Sequence, residues 1–291
     1  MRATHPHTES SVTRDGLRLG YEVFGDGETT VLLLPTWTII HSRFWKFQVP
    51  YLSRHFRVIT YDGPGNGRSD RSTDPERYSA DSYAEDAVAV LDACQVERVV
   101  AVGLSLGAAY GLTLATHHPE RVAGLVLMGP ALPLTPPTPE RAAIARTYLE
   151  PYPPDVQGWG KYNVAYWRDH FEDFAEFFFN QCFNEPHSTK PVEDSVGWAL
   201  EGGGADVLEA EGRARPASRA AAEEMLAGLG CPLLVIHGTE DLIHPHSTGV
   251  EAARLGQGSL LSMGGSGHLP NVRDPVAVNL ALKAFVDEVA S

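Results

Sequence analysis

The stretch Arg98–His117, RVVAVGLSLGAAYGLTLATH, decides the fold. Arg98–Leu104 is a valine-rich run of strand length, and Leu106–His117 continues as an apolar run of helical length. Between them lies Gly103-Leu104-Ser105-Leu106-Gly107, a strand-to-helix turn. Val99 to Thr116 is 18 residues without a charge, which imitates a membrane span. Three glycines (Gly103, Gly107, Gly111) interrupt it, and Ser105, Tyr110, Thr113 and Thr116 add polarity, so a buried strand running into a buried helix is the better account. A turn that sharp needs small residues on either side of the serine. It stands the hydroxyl above the sheet at a helix N-terminus, where backbone N–H groups can meet a developing oxyanion. The bland alternative is a Gly/Ser turn without chemistry; the strand before and the helix after weigh against it.

Outward from this turn, short apolar runs alternate with helical patterns. Leu17–Phe24, Val31–Leu34, Phe56–Tyr61 and Val122–Met128 read as strands, and Arg43–Leu52 and Ala80–Cys94 as helices. The alternation stops from about Ala131 to Gly230, where a Pro-rich opening, an aromatic-heavy middle and a Gly-rich bend at 202–204 carry no convincing strand. It resumes with the strand PLLVIHG at 232–238, a helix at His246–Leu255, a strand at Ser259–Met263 and a helix at Pro275–Val289. The expectation is an α/β fold, a mostly parallel central sheet with helices on both faces. Residues 1–130 and 231–291 form the core and 131–230 a helical cap. Insertions after a sheet strand are well tolerated.

The balance of 37 acidic against 23 basic residues gives a net charge of −14, which repels phosphate backbones and anionic lipid. Neither a nucleic-acid reader nor a membrane protein is expected. Cys94, Cys182 and Cys231 lie far apart and cannot all pair, which speaks for a reducing compartment. The opening MRATHPHTESSVTRDG lacks the apolar core of a signal peptide and, with His5 and His7, reads as a mobile tail; a cytoplasmic location is expected. Monomer and homodimer both stay open.

A serine hydroxyl is a poor nucleophile until a base takes its proton. Downstream, the strand ending at Gly238 leads into Thr239-Glu240-Asp241, and past the next strand comes Gly265-Ser266-Gly267-His268-Leu269-Pro270. The order Ser105, Asp241, His268 is the serine–acid–histidine order of one hydrolase fold and not of the others. With GLSLG at 103–107, DGPGNGRSD at 62–70, HGTEDLIHP at 237–245 and GSGHLPNVRDP at 265–275, the chain resembles the α/β-hydrolase superfamily over nearly its whole length. The resemblance implies Ser105 as nucleophile, His268 as general base and then acid, and Asp241 as its orienting carboxylate, with no cofactor and no metal. Glu240 is the rival for the acid, though Asp241 matches the family spacing and its short side chain suits a fixed hydrogen bond. His237, His244 and His246 crowd the Asp241 loop but lack metal-ligand spacing.

Most relatives place His-Gly after the third strand. This chain reads Leu34-Pro35-Thr36-Trp37. By position, the backbone N–H groups of Trp37 and Leu106 would form the oxyanion hole. A Pro-Thr start resembles some homoserine O-acetyltransferase-like members, which keeps acyl transfer beside hydrolysis. Twelve aromatic residues fall between 148 and 183. Most would glue cap to core, and some would line an apolar cleft, with Trp37, Trp167, Phe178 and Leu269 as pocket candidates. Charged acyl groups should fare poorly there, since a dry aromatic pocket does not repay their desolvation. The segment Pro186–Asp194 resembles cap segments of uncharacterised α/β-hydrolases sometimes fused to nucleotide cyclases, and no stretch of this chain reads as a cyclase domain.

The leading expectation is therefore a serine hydrolase that cleaves a carboxylic ester, lactone or thioester of a small hydrophobic substrate through an acyl-enzyme. An acyltransferase, a carbon–carbon bond hydrolase and a non-hydrolytic ligand-binding member are the alternatives. Epoxide hydrolases and haloalkane dehalogenases of this fold use an aspartate nucleophile, which Ser105 argues against.

Overall fold

Strands that are apolar at every position need cover on both faces, and Val99–Leu104 and Val122–Met128 are of that kind. The computed structural model describes residues 4–214 and 217–291. Its strands are β1 (Thr8–Arg14), β2 (Leu17–Phe24), β3 (Thr30–Leu33), β4 (Arg57–Tyr61), β5 (Val99–Leu104), β6 (Val122–Met128), β7 (Leu233–Gly238) and β8 (Ser259–Met263). They form one sheet in the order β1-β2-β4-β3-β5-β6-β7-β8. β1–β2 and β2–β4 pair antiparallel and every other pair is parallel.

Side chains along a strand alternate between faces. Val100, Val102 and Leu104 of β5 therefore join Val126, Met128, Leu234 and Ile236 in one core. Val99 and Ala101 join Leu125, Leu127, Leu233 and Val235 in the other. The first core is covered by α1 (Val49–Leu52) and α11 (Pro275–Ala290). The second is covered by α2 (Ala80–Ala93), α3 (Leu106–His117) and α9 (His246–Leu255). The charge-free run from Val99 to Thr116 is thus β5, its turn and α3. No helix among the described residues is long and apolar enough to cross a membrane.

Between β6 and β7 come only helices among the described residues: α4 (Pro139–Thr147), α5 (Val164–Cys182), α6 (Thr189–Glu201), α7 (Gly204–Arg213) and α8 (Arg219–Ala227). Their sequence signals are ordinary ones. Thr138 caps α4 ahead of Pro139, and Asn163 caps α5 by accepting from Tyr166 N. α8 differs from the other four. Its Ala222 and Leu226 are buried with Leu233, Ala252 and Ala253, so it packs on the sheet's α3/α9 face. A four-residue helix, α10 (Pro270–Arg273), follows β8.

Two local readings change. The tail around His7 is tied down: β1 follows it, and His7 N donates to Val23 O at 2.8 Å. β1 escapes a pattern reading because it is an edge strand with mostly exposed polar residues, held by backbone pairing rather than burial. The helical pattern at Arg43–Leu52 is two pieces, a 3-10 turn at Ser42–Trp45 and then α1. Pro50 falls in the first turn of α1, where its missing N–H stops one continuous helix from forming.

Candidate active site

The turn after β5 is built around two glycines that admit no side chain. A Cβ on Gly103 would lie 2.0 Å from Gly107 O, and one on Gly107 would lie 2.3 Å from Pro35 O. Between them Ser105 takes φ 56° and ψ −117°, a backbone region that non-glycine residues rarely occupy. Its own hydrogen bonds hold it there: Ser105 N donates to Met128 O at 2.9 Å, and Ala131 N donates to Ser105 O at 3.1 Å.

The loops after β7 and β8 meet because Gly238 leaves room. A Cβ there would stand 2.1 Å from Gly267 O. Glu240 N donates to Ser266 O at 3.0 Å, fastening the two loops. His268 and Asp241 then face each other, with Nδ1 2.8 Å from Asp241 Oδ2. Asp241 Oδ1 accepts from Ile243 N at 2.7 Å and His244 N at 2.9 Å. Burial would raise this carboxyl, but the His268 charge and the hydrogen bonds from His237 and His268 outweigh it. The net effect holds Asp241 well below the usual carboxylate range. Glu240 is exposed, and it meets this cluster only through its backbone.

Ser105, Leu106, Trp37, Phe178, Leu269 and His268 all line one cavity of about 120 Å³. It lies at the C-terminal ends of the parallel strands, where α/β sheets place small-molecule sites. Among the described residues neither Trp37 N nor Leu106 N meets an acceptor. Thr36 is accounted for structurally: its hydroxyl donates to Leu104 O at 2.9 Å, tying the loop after β3 to the end of β5.

Trp167, expected in the pocket, does not line it. The residue is 1% exposed, and its ring packs against Trp37, Tyr148, Tyr162 and Phe174, which makes it part of the buried core of the helical insertion. Trp37 joins the two layers, stacked on Tyr162 at 5.5 Å and edge-on to Phe178 at 4.8 Å.

A model of the alpha/beta hydrolase fold family matches residues 29–275. The chain belongs to the α/β-hydrolase family. Over 227 residues this hydrolase is 32% identical to a 2-hydroxymuconate semialdehyde hydrolase from Pseudomonas sp. (strain CF600), covering 77% of this chain and 74% of that one. Over 284 residues it is 26% identical to 3-oxoadipate enol-lactonase 2 from Acinetobacter baylyi, covering 96% and 97%. A solved hydrolase from Pseudomonas aeruginosa PA01 matches with a TM-score of 0.75 at 28% identity, over 96% of this chain and 98% of that one.

Several residues around the hydrolase's cavity give no sequence signal. His237 is buried, and its Nε2 lies 3.0 Å from Asp241 Oδ2 and 3.1 Å from His244 O. A carbonyl only accepts, so that nitrogen carries the proton and His237 is a second donor to the Asp241 carboxylate. His246 is bonded to Ser262 Oγ at 2.9 Å. Among the described residues no three His, Cys, Asp or Glu side chains group as a metal site requires.

The segment Pro186–Asp194 acquires a structural account. Asp194 bonds Lys46 of the core and also Lys190, at 2.6 Å. Arg273 Nη2 donates to Pro186 O at 2.9 Å. Just before it, Glu185 Oε1 accepts from Gly267 N at 2.7 Å. The Glu185 and Arg273 bonds, with His268 N donating to Cys182 O at 3.1 Å, dock the helical insertion onto the segment that carries His268. The lining is also not purely apolar: Arg141, Tyr162 and His244 share it.

Proposed function

We propose that this hydrolase cleaves carboxylic esters, lactones or thioesters of small, largely apolar substrates through a covalent acyl-enzyme. What carries the reading is one arrangement: a strained Ser105 at the N-terminus of α3 shares a cavity with His268, whose Nδ1 is engaged by a buried Asp241. With Nδ1 engaged, Nε2 is the ring nitrogen left to take the Ser105 proton. Ser105 Oγ then adds to the carbonyl carbon, and the carbonyl electrons move onto oxygen. The unpartnered N–H groups of Trp37 and Leu106 would receive that oxyanion. Collapse of the tetrahedral species expels the alkoxide or thiolate, which takes the proton back from His268. Water repeats the sequence on the acyl-enzyme and frees the acid.

The test is an active-site fluorophosphonate with a panel of nitrophenyl esters. Wild type should be labelled on Ser105 and should turn over esters. Ser105→Ala should lose label and turnover by roughly 10⁴-fold or more while keeping its fold. Labelling elsewhere, or less than tenfold loss in Ser105→Ala, would remove the nucleophile assignment. The 32% identity to a 2-hydroxymuconate semialdehyde hydrolase favours carbon–carbon bond hydrolysis as the second reading. Turnover of a β-diketone with the nitrophenyl esters untouched would select it.

A further inference from the structure

One formal charge lines the cavity without a partner. Arg141, at the start of α4, is half-buried there, and the lining contains no aspartate or glutamate. Its Nη1 is fully buried and meets no acceptor, and among the described residues its side chain forms no ion pair or hydrogen bond. Arg14, Arg77 and Arg121, of comparable burial in this acidic protein, are paired with carboxylates. Arg14 lies 2.5 Å and Arg77 3.3 Å from Asp86, and Arg121 lies 2.8 Å from Asp92. A guanidinium partly withdrawn from water without an anion is unfavourable, so its place in the cavity fits a ligand that supplies one.

The surroundings fit that role. The Arg141 guanidinium carbon sits 5.0 Å from the centre of the Trp159 ring, a cation–π contact. A ring supplies no formal negative charge, and the guanidinium fork matches a planar, bidentate acceptor, which a carboxylate is. The charge acts on the cavity around it. Burial pushes the Tyr162 phenol up to about 12 against the pull of Arg141. Burial, with His268 and Arg141 adding to it, holds the His244 imidazole below its ordinary value. Neither neighbour supplies the missing negative charge.

We propose that Arg141 is a carboxylate-binding residue, so that the substrate of this cavity carries an anionic carboxylate separated from the scissile carbonyl by an apolar stem. The choice of bond cleaved rests on the hydrolase reading above; the anion site does not. This reverses the expectation that charged acyl groups are disfavoured, because the desolvation of the carboxylate is met by a cation already in place.

Two measurements test it. In calorimetric titration, hexanoate should bind the wild-type protein at least tenfold more tightly than 1-hexanol. That preference should vanish in Arg141→Met and partly survive in Arg141→Lys. In turnover, the ratio of kcat/KM for the p-nitrophenyl monoester of adipic acid to that for p-nitrophenyl hexanoate should exceed ten and fall at least tenfold in Arg141→Met. A wild type that binds hexanoate no better than hexanol overturns the proposal, as does a preference that persists in Arg141→Met. If Arg141→Met does not fold, the wild-type preference and its reduction in Arg141→Lys decide alone. Fluorophosphonate labelling on the same preparation separates the two claims. Label on Ser105 without carboxylate preference sinks this inference only, whereas carboxylate preference without label sinks the hydrolase reading only.

Discussion

Replacing Glu211 by glutamine should flatten a fall in stability that the wild-type protein shows as pH rises from about 5 to about 8. Glu211 lies on α7, buried, and three donors converge on it. Thr38 N donates to Oε2 at 3.1 Å, the Thr38 hydroxyl bonds the same oxygen, and Tyr110 Oη donates to Oε1 at 3.1 Å. Burial raises the carboxyl, the Thr38 and Tyr110 bonds offset part of that, and the net value is about 7 against an ordinary 4.5. The folded protein therefore binds this proton more tightly than the unfolded chain does. The resulting stability is fully present below the ordinary value and is lost as pH rises through about 7. At about 1.4 kcal/mol per pKa unit the full loss is roughly 3 kcal/mol, most of it between pH 5 and pH 8.

Urea unfolding of wild type and Glu211→Gln across that range measures it. Groups common to both proteins cancel in the difference, including the depressed Asp241, whose contribution has the opposite sign and fails only in stronger acid. A difference curve that is flat within about 0.5 kcal/mol would refute the reasoning. The consequence for the site follows from position, because Thr38 adjoins Trp37. Asn66 Nδ2 donates to Thr38 O at 2.7 Å, so with Glu211 both backbone groups of Thr38 are held. Loosening Glu211 should therefore lower kcat more than it raises KM.

Asp241→Asn should lower kcat by about 10⁴-fold and Glu240→Gln by less than tenfold, because only the first group holds an imidazole; steady-state kinetics on one good ester decides, and the reverse ranking would move the acid to Glu240. Gly107→Ala should give little folded protein, since its Cβ meets Pro35 O at 2.3 Å. Gly197→Ala, inside α6 with nothing within 4 Å, should raise stability by about 0.5–1 kcal/mol in denaturant titration. Trp167→Ala should destabilise by about 3–5 kcal/mol with the acyl-chain profile unchanged, whereas Phe178→Ala should shift that profile, as melting curves and a nitrophenyl ester series will show.

What could be read in the sequence divides along physical lines. β5, β6 and β7 are buried on both faces, so their residues are apolar at nearly every position, and α3 between them has little choice but to be apolar too. The placement of Ser105, Asp241 and His268 was legible because each sits in a turn whose glycines have no freedom: Gly103 and Gly107 beside the serine, Gly238 and Gly267 between the acid and histidine loops. Steric necessity leaves a local mark. β1 left none, because an exposed edge strand is held by backbone hydrogen bonds that any residue can make.

The residues that were not legible share a different property. Arg141 and Glu211 lie on helices α4 and α7, which also expose polar and charged residues, and along each helix a charged residue reads as one more solvated position. Their distinctive states arise only from chain brought in from elsewhere: Trp159 against Arg141, and Thr38, 173 residues away, against Glu211. His237 is similar, since only the fold turns one of three crowded histidines into a donor on Asp241. A motif announces the chemistry of bond cleavage because the turn geometry that chemistry needs is local. Selectivity is assembled from side chains distant in sequence, so the ester panel and the Arg141 variants, rather than more pattern reading, are what discriminate among substrates.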